Sequence, residues 1–484
     1  MSSSSPTLFA HHLNGRNFAL FVAFQVLLMG ALILASDQQR IVLFIALGSV
    51  AAAVFLAFLV IYPWLSIPLL LSTTAIDITG RLIKETPLGI PLTGFHLALV
   101  LMALALLTNI ALEKRFTLPP FGLLGPLFLF WGVMAISQIY TPNQPEAAIG
   151  LLRTLFLILF LYAIEILVDS RWAVTTAILS IAACLVVVSI LGVIQVFTEE
   201  FYLPASFVIA VGANTPRATG TFHNPNHLGA FLMSGIVFLT TLLIHFRMAN
   251  WKRLLLLAVL GISMAGLVVS FSRGNWLATL LGIVVALWLA KKLRYLFFAG
   301  ILFFLGILAL KEFVPFAEHI FQRFISIFTI FNEFGSTGHV SGSARVQFVQ
   351  AGLGMLLDNP VLGAGWRAFP VILDAYKPEN FPHWLPTRES HTLFATIAAE
   401  LGLVGLGAAG WIVWRVLQRG FAARRHLQDE YLRAVLTSLL AVFIAFQISH
   451  SFTGDFSDNF LWFYTGMLFG VIRLAQRSQD TAAQ

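Results

Sequence analysis

Residues 254–271 read LLLLAVLGISMAGLVVSF, and residues 275–290 read NWLATLLGIVVALWLA; only Ser272-Arg273-Gly274 separates them. Each run approaches the roughly 17–25 residues that an α-helix needs to cross about 30 Å of hydrocarbon. The stretch therefore predicts a transmembrane hairpin, with Gly274 supplying the turn. Working outward, further apolar runs fall at 17–35, 41–76, 93–112, 120–140, 148–168, 173–197, 227–246, 295–311, 392–416, 432–452 and 459–474. Pro63 breaks the run 41–76, which holds either two spans or one span and a re-entrant piece. Of the 484 residues 58% are hydrophobic and 11% are charged, with a mean hydropathy of +0.88. A soluble domain carries about 25% charged residues. This composition excludes a soluble enzyme, a disulfide scaffold and a disordered chain. The continuous runs argue against a membrane β-barrel, whose strands alternate. The expected fold is an all-α polytopic integral membrane protein with about 12–14 transmembrane helices.

The net charge of +7 does not point to nucleic acid, because the basic residues gather in short loops. One alternate set of loops holds Lys114 and Arg115; Arg171; Arg247, Lys252 and Arg253; Lys291, Lys292 and Arg294; Arg415 to Arg433; and Arg473 and Arg477. The positive-inside rule places that set in the cytoplasm. The loops near 77–89, 141–147, 198–226, 272–274, 312–390 and 453–458 then lie outside. The expected organisation is a cytoplasmic tail 1–16, a helix bundle 17–311, a long external loop 312–390, C-terminal spans 391–474 and a cytoplasmic tail 475–484. The long loop is not of low complexity. Within 343–357, Val346, Val349, Leu353 and Leu356 have the spacing of an amphipathic helix. Asp358-Asn359-Pro360 ends it, and Gly363-Ala364-Gly365 makes a turn. The only cysteine, Cys184, lies in an apolar run and permits no intrachain disulfide.

Arg273 is held at the outer end of the tight hairpin, either as a snorkelling anchor or as a functional cation. Arg345 is expected in the first turn of the 343–357 helix, capped by Ser341 or Ser343. There an arginine beside free N–H groups suits an anion such as a diphosphate, although a plain surface role is open. His391 lies where the long loop re-enters the membrane; it can act as a base near neutral pH or simply cap a helix. Glu400 is half a turn out of phase with His391 and is expected to make a structural hydrogen bond. Residues 217–227, RATGTFHNPNH, are dense in polar groups. His223 and His227 are four apart, but Pro225 between them argues against a helical metal pair. His223, Asn224 and Asn226 instead suggest a polar lining for a sugar or phosphate cavity, with Arg217 as a third phosphate contact. Arg388 lies close to His391 and is a weaker candidate for the same cavity. No phosphate-loop or dinucleotide motif is present, so any substrate must arrive already activated.

Together these residues resemble the O-antigen ligase superfamily, which includes the ligases, O-antigen-type polymerases and related oligosaccharyltransferases. The resemblance is carried by Arg217–Phe222 with Asn224-Pro225-Asn226, by Ser272-Arg273-Gly274, by Ser343-Ala344-Arg345 with Asn359–Gly365, and by Ser390–Leu393 with Glu400-Leu401-Gly402. It covers about 215–405. It implies a bacterial inner-membrane glycosyltransferase whose periplasmic loop, 312–390, roofs the active site. The implied donor is a glycan on undecaprenyl diphosphate. The implied acceptor is lipid A-core for a ligase or a second lipid-linked glycan for a polymerase. Arg273 and Arg345 then bind the diphosphate, and His391 activates the acceptor hydroxyl. Thr392 stands where the family often has asparagine, which bears on the acceptor subclass. Two arginines can neutralise a diphosphate leaving group, so the expected reaction is inverting and needs no metal or other cofactor. A transporter of lipid-linked sugars is the competing class. It predicts charged residues along a path through the bundle, whereas the candidates here cluster on one side.

Overall fold

A computed structural model of the chain describes residues 53–76, 93–113, 120–202, 210–211, 215–296, 300, 320–325, 340–378, 381, 390–452, 456 and 458–483. The expected tail 1–16, the run 17–35, most of the run 295–311 and Arg388 lie outside the described residues. The helices are α1 (53–61), α2 (Ser66–Ala75), α3 (Gly94–Glu113), α4 (Leu124–Ser137), α5 (Gln144–Leu167), α6 (Arg171–Thr198), α7 (Pro225–His245), α8 (Asn250–Val269), α9 (Arg273–Leu289), α10 (320–325), α11 (Val340–Asp358), α12 (Phe369–Ile372), α13 (Leu393–His426), α14 (Glu430–His450) and α15 (Asn459–Ala483). Among the described residues the sole sheet is a two-residue antiparallel pairing of Ala210–Val211 with Thr215–Pro216. The protein is an all-α, multi-pass membrane protein.

Seven of the described helices are long and apolar enough to span a bilayer: α3, α5, α6, α7, α8, α13 and α14. Helices α4 and α9 are apolar but shorter. A helix suits these segments because it satisfies every backbone group internally, which hydrocarbon requires. Sequence punctuation sets several starts. Ser170 caps α6 by accepting from the Ala173 N–H, and Asp429 caps α14 by accepting from Leu432. Asn224 caps α7 with Pro225 at the first helical position. Pro63 interrupts the run 41–76, opening a 3-10 turn at Pro63–Leu65 between α1 and α2.

Helices α7 and α14 form the centre. Each buries 78% of its span inside the protein, against 28% for α8. They pack on each other and on α9, with α15 against α5, α8 against α6, and α13 against α4. Outer helices turn bulky apolar side chains outward, such as Leu254 and Leu255 on α8 and Phe128 on α4. Water would oppose that exposure, whereas acyl chains accept it.

Segment 340–375 packs onto the start of α13. Helix α11 ends at Asp358, as its Asp-Asn-Pro sequence requires. Its buried stripe is Phe348, Ala351 and Met355, packed on Phe369, Leu373, Phe381 and Ala399. This corrects the sequence expectation of a Val346, Val349, Leu353 and Leu356 stripe: Val349 and Leu353 are exposed. The helix is apolar on more than one side, and the partner surface chooses which side is covered. Helix α11 also begins no later than Val340, so Ser341 and Ser343 lie within it and Arg345 is beyond the first turn.

The loop after α11 is bolted to α13 by two backbone approaches. Gly363 and Gly402 both have positive φ, +70° and +63°, and a Cβ on either would strike the other strand of chain within 2.6 Å. The Glu400 carboxylate, 1% exposed, accepts from the N–H groups of Arg367 and Phe369, both at 3.0 Å. The expected structural role of Glu400 is therefore a carboxylate clamp on the incoming loop.

Candidate active site

One face of the bundle collects the ends of α8 and α14, the starts of α7, α9, α11 and α13, and described parts of the loops between them. Backbone and side-chain bonds hold these pieces in register. The Ala218 N–H donates to the Val269 carbonyl at 3.0 Å, and Ser449 Oγ donates to Asn275 Oδ1 at 2.7 Å. Described residues of three loop regions, Arg217, Ser272 to Gly274, and Arg323 with Arg345, line one cleft, while Thr141 Oγ1 and Asn143 Nδ2 donate to the Trp366 and Arg367 carbonyls.

That face contains a polar cleft with about 420 Å³ of unfilled space. Its described lining includes Arg217, Arg273, Arg323 and Arg345, with Asn226, Ser272, Asn275 and Ser449, and holds no carboxylate. Three of those arginines stand out in the sequence, far apart in the chain, and the fold brings them together. Arg323, on α10, is the addition. Its trace in the sequence is a lone cation in a mostly apolar stretch, Ile320-Phe321-Gln322-Arg323-Phe324-Ile325.

Each arginine is placed by identifiable neighbours. Arg217 is 6% exposed; its Nε donates to the Ser270 carbonyl at 2.9 Å and its Nη2 to Asn226 Oδ1 at 3.1 Å. Arg323 Nε reaches the Phe271 carbonyl at 3.5 Å. Both thus approach carbonyls following the last turn of α8, where the helix dipole favours cations. Arg273 is the first residue of α9, 9% exposed and turned into the cleft. The turn before it uses Phe271 at φ +50°, which corrects the expectation that Gly274 supplies it. Gly274 is needed for room instead: a Cβ there would meet the Phe452 side chain at 2.8 Å.

The cluster carries an electrostatic debt. Burial, and then the charges of Arg323, Arg345 and Arg273, push the Arg217 guanidinium down to about 9. Burial and then Arg273 push Arg345 down to about 10. Both remain cationic at neutral pH. Two like unit charges about 6 Å apart repel by roughly 3 kcal/mol at an effective dielectric near 20. A multivalent anion relieves that repulsion, and guanidinium forks match phosphate oxygens in pairs.

His391 is outside the described cleft lining and meets α11 at Phe348, about one turn from Arg345. It is half-buried, directly precedes the turn into α13, and packs edge-on to Phe348 with ring centroids 5.7 Å apart. Phe348 lies three residues after Arg345 on α11, hence on the same helix side. The backbone of His391 takes φ +54°, an uncommon conformation for a non-glycine residue. Buried Ser390 fixes this turn, accepting from the Thr392 N–H at 3.1 Å and lying 2.7 Å from Thr396 Oγ1. Thr392 Oγ1 reaches the Ser451 carbonyl at 3.4 Å, tying the turn to the end of α14.

The remaining sequence candidates divide. Asn226 lines the cleft, whereas the Asn224 side chain caps α7 by accepting from the Asn226 N–H at 2.8 Å. His223 is exposed, outside the described cleft lining. His227 does not pair with His223 on one helix, because α7 begins between them at Pro225; it meets Asp458 instead, at 2.8 Å. Asp458 escaped the sequence reading because it lies 231 positions from His227 in the chain. No group of three or more His, Cys, Asp or Glu among the described residues is arranged to hold a metal ion.

No curated protein matches the chain. Residues 256–410, the stretch that carries Arg273, Arg345 and His391, match the family model described as O-antigen ligase.

Proposed function

We propose that the protein is a membrane glycosyltransferase of the O-antigen ligase type. It transfers a glycan from undecaprenyl diphosphate to a hydroxyl of lipid A-core on the periplasmic face of the inner membrane. The observation that carries this reading is the convergence of four arginines, from separate segments, on a cleft whose described lining has no acid. Such a cleft suits a diphosphate. The reading also takes support from the family match and from the position of His391 beside the Arg345 helix.

In the proposed reaction the acceptor hydroxyl oxygen attacks the anomeric carbon of the donor sugar. The bond from that carbon to the diphosphate oxygen breaks, and its electron pair leaves with the lipid diphosphate. Arg273, Arg345, Arg217 and Arg323 neutralise the departing charge, and His391 takes the hydroxyl proton. In-line attack inverts the anomeric configuration. The arginines supply the charge a metal would otherwise bring, so a chelator leaves activity unchanged.

Purified protein supplied with an undecaprenyl diphosphate-linked glycan tests this directly. Lipid A-core and a second lipid-linked glycan are offered separately as acceptors. Transfer to lipid A-core, lost in folded His391→Ala and Arg345→Ala variants, is the expected result. Transfer only to the lipid-linked glycan would make the protein a polymerase. Wild-type activity in both variants would overturn the site, and movement of an intact lipid-linked sugar across vesicles without transfer would favour a transporter.

A further inference from the structure

Asp458 occupies the turn before α15, 8% exposed, and joins two histidines from different helices. Its Oδ1 lies 2.8 Å from His227 Nδ1, on the first turn of α7, and its Oδ2 lies 3.8 Å from His450 Nε2, at the end of α14. The first is hydrogen-bond distance and the second ion-pair distance. Burial alone would raise the carboxyl; His227 and then His450 outweigh it and hold the group below the usual carboxylate range.

From each histidine the contacts run into the cleft. His227 follows Asn226, whose Oδ1 accepts from both Arg217 Nη2 at 3.1 Å and Ser272 Oγ at 3.0 Å. The Asn226 carbonyl accepts from Asn275 Nδ2 at 2.9 Å, and Asn275 Nδ2 also reaches Ser272 Oγ at 2.9 Å. Ser449 Oγ, next to His450, donates to Asn275 Oδ1 at 2.7 Å. The path closes on itself: Asp458, His227, Asn226, Asn275, Ser449, His450 and back to Asp458. It links the starts of α7 and α9, the end of α14 and the turn before α15. Arg217 hangs from it directly, and Arg273 lies between two of its bonded residues, Ser272 and Asn275.

We infer that Asp458 is a positioning residue for the anion cleft, acting through this closed polar ring rather than by touching the substrate. A cluster of mutually repelling arginines opens unless its backbone supports are tied, and the buried Asp458 carboxylate ties α7 through its 2.8 Å bond to His227 while lying 3.8 Å from His450 at the end of α14. The inference rests on the reading of the cleft as a diphosphate site.

The test measures binding of inorganic pyrophosphate to the full-length protein in detergent, alongside thermal unfolding. The variants are Asp458→Ala, Asp458→Asn, Ser449→Ala, the Asp458→Ala/Ser449→Ala double mutant and Arg345→Ala. Wild type is expected to bind and Arg345→Ala to lose binding. Asp458→Ala is expected to weaken binding about tenfold, while Asp458→Asn, which keeps an oxygen for His227, stays within about threefold. Ser449→Ala breaks the ring on its far side and weakens binding several-fold. The double mutant is expected to be no weaker than Asp458→Ala, because groups in one network are not additive. If wild type binds and both Asp458→Ala and Ser449→Ala bind equally well, the positioning role is overturned and the diphosphate reading stands. Additive losses overturn the ring as a unit. If Asp458→Ala does not fold, unchanged binding by folded Ser449→Ala overturns the inference alone. Absence of binding in wild type overturns the diphosphate reading, and the inference falls with it.

Discussion

Arginines at the two ends of the bundle are treated oppositely. At the basic end, Arg171 pairs with Asp429, which itself caps α14. Arg473 donates to the carbonyls of Glu165 and Ile166 and lies beside the carboxylates of Glu165 and Asp169. Arg424 donates to Thr437 Oγ1 at 2.9 Å. Arg171 and Arg473 there each have a carboxylate beside them. At the loop end, the described lining of the cleft holds four arginines and no acid, so its charge is answered only in part, by carbonyls and amides. The first arrangement reads as orientation and structure. The second stores unfavourable energy that a bound anion would release, and storing such energy is the usual cost of a functional site.

The largest expected effect separates the two ends. Arg273→Gln removes one cation from the cleft and should lower glycan transfer about 10²–10³-fold, the scale for deleting one charge-stabilising group. Thermal unfolding should be unchanged or slightly later, since like-charge repulsion is reduced. A fall in stability equal to the loss of activity would mean that Arg273 is structural like Arg473, and the contrast would collapse.

Next come the supports of the loop face. Glu400→Ala strands the half-buried N–H of Arg367 and the buried N–H of Phe369. Each costs about 1–3 kcal/mol unpaired, so unfolding should begin at a clearly lower temperature. Gly402→Ala forces a Cβ into a backbone conformation that only glycine adopts readily, with a cost of about 1–3 kcal/mol. Normal stability in both variants would show that the loop is held elsewhere.

The smallest effect belongs to the basic end. Arg171 is 64% exposed in its side chain, and surface ion pairs contribute about 0–1 kcal/mol. Arg171→Ala should leave transfer rates within twofold and shift unfolding by at most a degree or two, less still at high salt. A large loss of transfer would show that the basic end shares in the chemistry.

Local chemistry carried much of this molecule in its sequence. The apolar runs are helices because hydrocarbon allows little else, and that demand is met residue by residue. Pro63 breaks its run, Asp358-Asn359-Pro360 ends α11, and Gly363 and Gly365 turn the chain, because dihedral preference is a property of the residue itself. Arg217, Arg273, Arg345 and His391 could be singled out because an ionisable residue near a membrane boundary is costly wherever it falls.

Only the tertiary structure decided the rest. It chose the Phe348, Ala351 and Met355 side of α11 for burial, since an apolar helix has no preferred side until a partner arrives. It made Asn224 a cap and Asn226 the hub that holds Arg217, although the two are separated by one residue. It added Arg323 to the cleft and set Asp458 between His227 and His450. The His227–Asp458 pairing joins residues 231 positions apart. Hydropathy is local and says which segments enter the membrane; the packing of one helix end against another says which loops then meet.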